Sequence, residues 1–314
     1  MNRFESFNQP LKWSMALLLA ALAAGCGGGD PILGGSGKVS AGPAGINANM
    51  LGLAAPFGIA ATAGVSNTGA TTINGDVILD PTLTCNAVAV PGGSGTAGFG
   101  LCGGSPPTLN GTVIITGATA SAVKADLNTG FLKITPPAGP PAAGSLGGAT
   151  NLPAGTTLGA PTGSALVVND NLFFPGVYQS ITSIMITGDL TLDAQGNPDA
   201  VFVFQSSSTV GTAAGGPTPA TRTRILLVNG AKASNVWWQA ASDATLGLYA
   251  EFNGNILAAR DITMNTGATS CGRLMAGAWV GVAGGTGAFT FQANVVSVPG
   301  KPFAPPAGYS TVCQ

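Results

Sequence analysis

A short repeat in the C-terminal half constrains the fold most. Asn235-Val236-Trp237-Trp238-Gln239, Asn255-Ile256-Leu257-Ala258-Ala259 and Arg273-Leu274-Met275-Ala276-Gly277 align, with Val236, Ile256 and Leu274 spaced by 20 and 18 residues. A second set runs in step: Asp243-Ala244-Thr245-Leu246, Asp261-Ile262-Thr263-Met264 and Ala278-Trp279-Val280, offset by 18 and about 17. The stretch from Gln205 to Gly211 resembles that from Gln239 to Gly247, which reads as two periods. A unit this short cannot hold a helical hairpin, but it suits one turn of a triangular coil with three short strands. Coils of this kind stack at about 4.8 Å. Alternation then turns Ala244, Leu246, Ile262 and Met264 inward. Thr245 and Thr263 point outward, one above the other, and the same logic turns Thr191 and Thr209 out.

Composition agrees with tight coils. Glycine supplies 49 of 314 residues, and charged residues make up 7%, against about 25% in ordinary soluble domains. Corners need residues that tolerate positive φ, and the interior needs small and branched apolar ones. Alternating segments such as Thr72 to Leu79, Ile186 to Asp193 and Val201 to Gln205 read as strands. The run Ile225 to Val228 reads as a strand buried on both sides. One segment differs. Residues 118–132 place Ala120, Val123, Leu127 and Phe131 on one face, which predicts an amphipathic helix. Gly130 weakens it by about 1 kcal/mol relative to alanine, and Pro136-Pro137 ends it.

The same composition excludes most chemistries. The formal charge is −1 with no basic run, so no nucleic acid partner is expected. Histidine is absent, which removes His-dependent triads and His metal sites. Asp193, Asp199, Asp243 and Asp261 lack the spacing of a carboxylate pair or a calcium loop, and fit corner positions that cap backbone N–H groups. Arg273 reads as a donor to loop carbonyls, and Trp237 and Trp238 as one inward and one outward side chain in packing roles. No catalytic residue, metal or cofactor is expected.

The N-terminus reads as an export signal. Arg3 and Lys12 precede an apolar run, Trp13 to Ala24, that is too short for the roughly 17–25 residues of a membrane span. Leu22-Ala23-Ala24-Gly25-Cys26 resembles a lipoprotein cleavage box, with Cys26 the lipidated residue. The boundaries expected are 1–26 signal peptide, 27–50 flexible tether and 51–314 folded domain. Cys85, Cys102, Cys271 and Cys313 remain, an even number in an exported chain. Three connectivities are possible; Cys85 with Cys102 is favoured because it closes a glycine-rich insertion, and Cys271 with Cys313 would then staple the tail.

Several segments in order resemble the DUF3494 ice-binding-like family: Asn67-Thr68-Gly69 through Gly75-Asp76, Phe174-Pro175-Gly176-Val177-Tyr178, Gly188 to Asp193, Ala200 to Gln205, Asn229 to Gln239, Gly254 to Ala258 and Thr266 to Arg273. The resemblance spans roughly 51–299, while 80–113 and 135–163 look longer than in a minimal member. It implies an all-β, irregular right-handed parallel β-solenoid with a single α-helix packed alongside. It also implies adsorption to an ice crystal surface as a monomer; the lipid-anchor signal, which departs from the simple secretion signal of many members, would hold the domain near a membrane. The alternative is a cell-surface structural or adhesion module on the same scaffold. Thr-Gly-Ala-Thr occurs three times, at 68–71, 116–119 and 266–269. The outer copies resemble a pattern on the ice-facing side of some members, and the middle one opens the helix as a cap. The candidate ice contacts are Thr68, Thr71, Thr266 and Thr269 of these copies, with corner chemistry as the alternative, and the outward column Thr191, Thr209, Thr245 and Thr263, with a structural threonine ladder as the alternative.

Overall fold

A computed structural model describes residues 41–79, 85–86, 106–114, 117–136, 146, 148–159, 171–279, 287–301 and 313. The chain divides into two units, Met1–Lys38 and Val39–Gln314, and the description concerns the second. Cys26 and Cys102 lie outside the described residues, as do most of the two long insertions.

Among the described residues, strands of two to five residues wind through three sheets of nine, eight and eight strands, with every pairing parallel. A single coil contributes one strand to each sheet. One coil is Val236–Ala240, Ala244–Leu246 and Glu251–Asn253; the next is Asn255–Ala258, Ile262–Met264 and Thr269–Cys271. The architecture is a parallel β-solenoid, and the repeat is its coil. The true register differs from the sequence alignment in three places. Trp238, not Val236, pairs with Ile256, so the step is 18 residues on this side too. A slip of two keeps the same side chains inside, which is why alternation alone cannot detect it. Gln205 pairs with Gln239 and Val210 with Ala244, so that apparent double period is one coil enlarged by its 213–223 loop. The third strand stacked on Ile262–Met264 is Ala288–Gln292, not the Trp279 segment.

Glycine corners split two expected strands. Gly75 separates Thr72–Asn74 from Asp76–Leu79, and Gly188 separates Ile184–Ile186 from Asp189–Asp193, each pair lying in different sheets. Arg224–Val228 is buried only at Ile225; Leu226 and Val228 remain partly exposed because this sheet's outer face is open there. Gly254 shows why a corner needs glycine. Its φ is 121°, and a β-carbon would meet Trp238 Nε1 at 2.7 Å.

The chain does not wind from one end to the other. It starts with Phe57–Ala61, Gly64–Thr68 and Thr72–Asn74, and these stack on the last coil, Leu274–Ala276, Ala288–Gln292 and Val295–Ser297. Helix α1 (Gly117–Lys133) makes the crossover. Its 17 residues span about 25 Å of the roughly 38 Å length of the nine-stranded sheet. The coils then return from the far end. Such long-range closure brings Ser66 beside Thr290.

α1 covers the outer side of the nine-stranded sheet. Ala120, Val123, Leu127, Phe131 and Ile134 pack on Ala60, Ile78, Val203, Trp237, Leu257 and Met275. Full burial of each large side chain here contributes about 1.5–3 kcal/mol. Gly130 admits the 3-10 segment Ala48–Ala54, since a β-carbon would sit 2.8 Å from Leu51 Cδ2. Residues 41–50, expected to belong to a flexible tether, are packed against the body instead. Ile46 and Leu51 are buried in this cluster, and Ala41 accepts the Val201 N–H at 2.9 Å. Apolar side chains and a strand-edge bond anchor residues 41–50 to the body. Inside the solenoid, Tyr178, Phe204 and Trp238 occupy paired positions and stack with centroids 5.2 and 4.1 Å apart.

Candidate functional site

The three outer faces are chemically distinct. The first lies under α1. The second carries charge and tail contacts: Arg224 donates from Nε to Asp189 Oδ1 at 2.7 Å, and Arg222 meets Glu251 at 2.8 Å with both side chains 2% exposed. Cys271 on this face is disulfide-bonded to Cys313, with Cα atoms 5.1 Å apart. The third face carries hydroxyls.

On that third face, strands Gly64–Thr68, Ala288–Gln292, Ile262–Met264, Ala244–Leu246, Val210–Thr212, Ile184–Ile186 and Thr156–Leu158 lie in order. Their inward residues, including Val65, Phe289, Phe291, Ile262, Met264, Ala244 and Leu246, are buried. Each outward central position then falls in one line: Ser66, Thr290, Thr263, Thr245, Gly211, Met185 and Thr157. The first four are consecutive hydroxyl residues. Ser66 Oγ donates to Thr290 Oγ1 at 3.2 Å. Each is held by a strand paired on both sides, so the hydroxyls and methyls repeat at about 4.8 Å on a rigid floor.

The carboxylates beside this line are already occupied. Asp261 Oδ1 accepts the Ala288 N–H at 2.8 Å, and Asp243 Oδ1 accepts the Asp261 N–H at 3.2 Å. Asp193 Oδ1 similarly accepts from Gln195 N–H at 2.7 Å. Asp243 and Asp261 cap corner backbone of the next coil at the margin of the hydroxyl face, whereas Asp193 caps its own corner on the charged face. Arg273 donates from Nε to the Ala55 carbonyl at 2.8 Å, and burial lowers its pKa. Trp238 points into the solenoid and Trp237 into the α1 interface.

The structure brings together only part of the expected threonine set. Thr245 and Thr263 pair directly. Thr191 does not join them: it lies on the charged face, paired with Leu172 and Leu226, because the corner at Gly188 has already turned the chain. Thr209 stands at the corner before Val210–Thr212, half-buried, with its carbonyl accepting from Ser206 Oγ. The outer Thr-Gly-Ala-Thr copies are corners. Thr68 and Thr266 are exposed at the edge of the hydroxyl face, and Gly69 and Gly267 supply positive φ. Thr71 and Thr269 are each 1% exposed, so neither can touch a flat surface. Thr71 Oγ1 instead accepts the Asn294 N–H. Of the middle copy, Thr116 lies outside the described residues. The line also contains residues the sequence reading omitted. Thr290, between inward Phe289 and Phe291, was discoverable by local alternation. Ser66 was not, since its neighbour is 224 positions away.

The ice-binding-like family model matches residues 59–286. The chain belongs to the ice-binding-like family. Family relatives include an ice-binding protein from Nostoc sp. (strain HG1), 33% identical over 250 residues, covering 79% of this chain and 74% of that protein. Another, from Leucosporidium sp. (strain AY30), is 30% identical over 225 residues, covering 72% and 77%. Among solved family structures, the ice-binding protein of the Antarctic ascomycete Antarctomyces psychrotrophicus superposes with a TM-score of 0.58 at 32% identity, covering 79% of this chain and 96% of that one. One from an Antarctic biological consortium gives 0.57 at 30% identity, covering 85% and 96%.

Proposed function

We propose that this protein binds ice through the hydroxyl face and so restrains crystal growth. The observation that carries the proposal is the in-register run Ser66, Thr290, Thr263 and Thr245 on the face that α1 leaves open. A binder of crystalline water needs many weak contacts held in a fixed array. Threonine offers a hydroxyl that joins a water lattice and a methyl that water can cage. Charged groups hydrate strongly and would disorder that layer. The paired strands supply rigidity, so little entropy is lost on adsorption. Family membership and the names of the relatives support the same function. No catalytic role is proposed, and the ligand is the surface of an ice crystal.

The sequence supports a location as well. Export followed by lipidation at Cys26 would place the domain at the cell envelope, on a tether of roughly residues 27–40. One acyl chain holds a membrane only marginally, so stable anchoring takes more than one. Globomycin-sensitive processing and metabolic labelling of Cys26 with palmitate are expected; a Cys26→Ala chain that still labels would reject the anchor. For ice binding, the test is thermal hysteresis and ice-affinity partitioning of residues 39–314. Crystal shaping and partitioning into ice are expected. A folded domain excluded from ice at high concentration would reject the function.

A further inference from the structure

The hydroxyl line is interrupted by two residues that look unsuited to it. Gly211 has no side chain, and Met185 is long, apolar and 42% exposed. They are direct partners across adjacent strands, between Thr245 on one side and Thr157 on the other. Gly211 is a strand residue without positive φ, so the backbone does not demand glycine there. The space does. A β-carbon on Gly211 would stand 3.4 Å from Met185 Cε, 3.6 Å from its Sδ and 3.3 Å from the Thr245 carbonyl oxygen. The thioether therefore lies back across the glycine, and Gly211 is buried beneath it although the position faces outward.

We infer that Gly211 and Met185 are a matched pair that carries the ice-binding face past Thr245 to Thr157, with the Met185 methyl filling the slot above Gly211. This rests on the ice-binding proposal and extends it. The face becomes seven rungs instead of four, about 29 Å long, with a hydroxyl end and a distal end whose central contact is apolar. Met185 sets which surface the distal end accepts, and Gly211 positions it. Removing the thioether leaves a pit two rungs wide, whose trapped water a crystal layer must expel or bridge.

The experiment measures thermal hysteresis of Met185→Ala, Met185→Leu and Gly211→Ala at equal concentration, with thermal unfolding to verify folding. Leu53→Ala removes a similarly exposed side chain on the α1 side and serves as control. Met185→Ala should lower hysteresis about two-fold or more as complementarity is lost over three rungs. Met185→Leu, near in volume, should retain most of it. Gly211→Ala, whose β-carbon touches the thioether and presses only on the Thr245 carbonyl, should fall between Met185→Ala and wild type, and Leu53→Ala should match wild type. Wild-type hysteresis in a folded Met185→Ala chain, while Thr263→Tyr abolishes activity, would overturn this inference and leave the function standing. A wild-type chain without hysteresis would overturn both.

Discussion

Asn294→Ala tests how a corner side chain ties the last coil to the one before it. Asn294 is fully buried at the corner where the last coil meets the first. Its Nδ2 donates to the Asn265 carbonyl at 2.8 Å and the Ala268 carbonyl at 3.1 Å, while Oδ1 accepts the Gln292 N–H. Its own N–H and carbonyl bond Thr71 Oγ1 and the Thr72 N–H. Alanine keeps these last two bonds and removes the other three. The carbonyls of Asn265 and Ala268 each keep a backbone donor, from Ala268 and Val295 respectively, so each lost bond there costs about 1 kcal/mol. The Gln292 N–H loses its side-chain acceptor in a buried corner, at about 1–3 kcal/mol. The expected total is about 3–5 kcal/mol, a large part of the roughly 5–15 kcal/mol of a typical domain. Urea unfolding of wild type and variant reads it, and Asn294→Asp, which turns a buried carboxylate oxygen onto the two carbonyls, should lose at least as much as alanine. A loss below about 1 kcal/mol for alanine would show that the Asn294 side chain does not tie the last coil to the preceding one.

Three further outcomes follow from the packing. Leu127→Ala should cost about 2–5 kcal/mol in urea unfolding, since the side chain is 1% exposed between α1 and the sheet. Reducing Cys271–Cys313, which are 42 positions apart, should remove about 4 kcal/mol in the chain-entropy model, read as a lower Tm in dithiothreitol than in buffer. Glu251→Gln removes the counter-charge of the buried Arg222 guanidinium and should cost about 3–5 kcal/mol, whereas Asp243→Asn at the half-exposed Arg260 pair should change the unfolding free energy by less than about 1 kcal/mol.

Much of this fold is legible locally. Val123, Leu127 and Phe131 announce the helix, which runs from Gly117 to Lys133, one residue beyond expectation at each end. Thr245 and Thr263 declare themselves as an outward pair because inward Ala244, Leu246, Ile262 and Met264 flank them. What fails is whatever depends on corners and loop lengths. Thr191 alternates as well as Thr245 does, but Gly188 places it on another face. Val236 and Ile256 align by type, yet the strand register is set two residues later. Closure of Gly64–Thr68 onto Ala288–Gln292 leaves no local trace, because it depends on the helix carrying the chain the length of the sheet. The hydroxyl face is thus half visible: the pair Thr245 and Thr263 can be read, while Ser66, Gly211 and Met185 emerge only from non-local pairing.

The most direct measurement is ice adsorption of Thr263→Tyr beside wild type. Thr263 sits mid-line on a fully paired strand, half-buried, with its side chain directed away from the core. A tyrosine there stands above the face without entering the solenoid, so the Tm should stay within a few degrees, as for surface changes worth about 0.5 kcal/mol. The predicted result is an unchanged fold, with hysteresis and partitioning into ice both lost. A Thr263→Tyr chain that still shapes ice and partitions like wild type would contradict the assignment of this face.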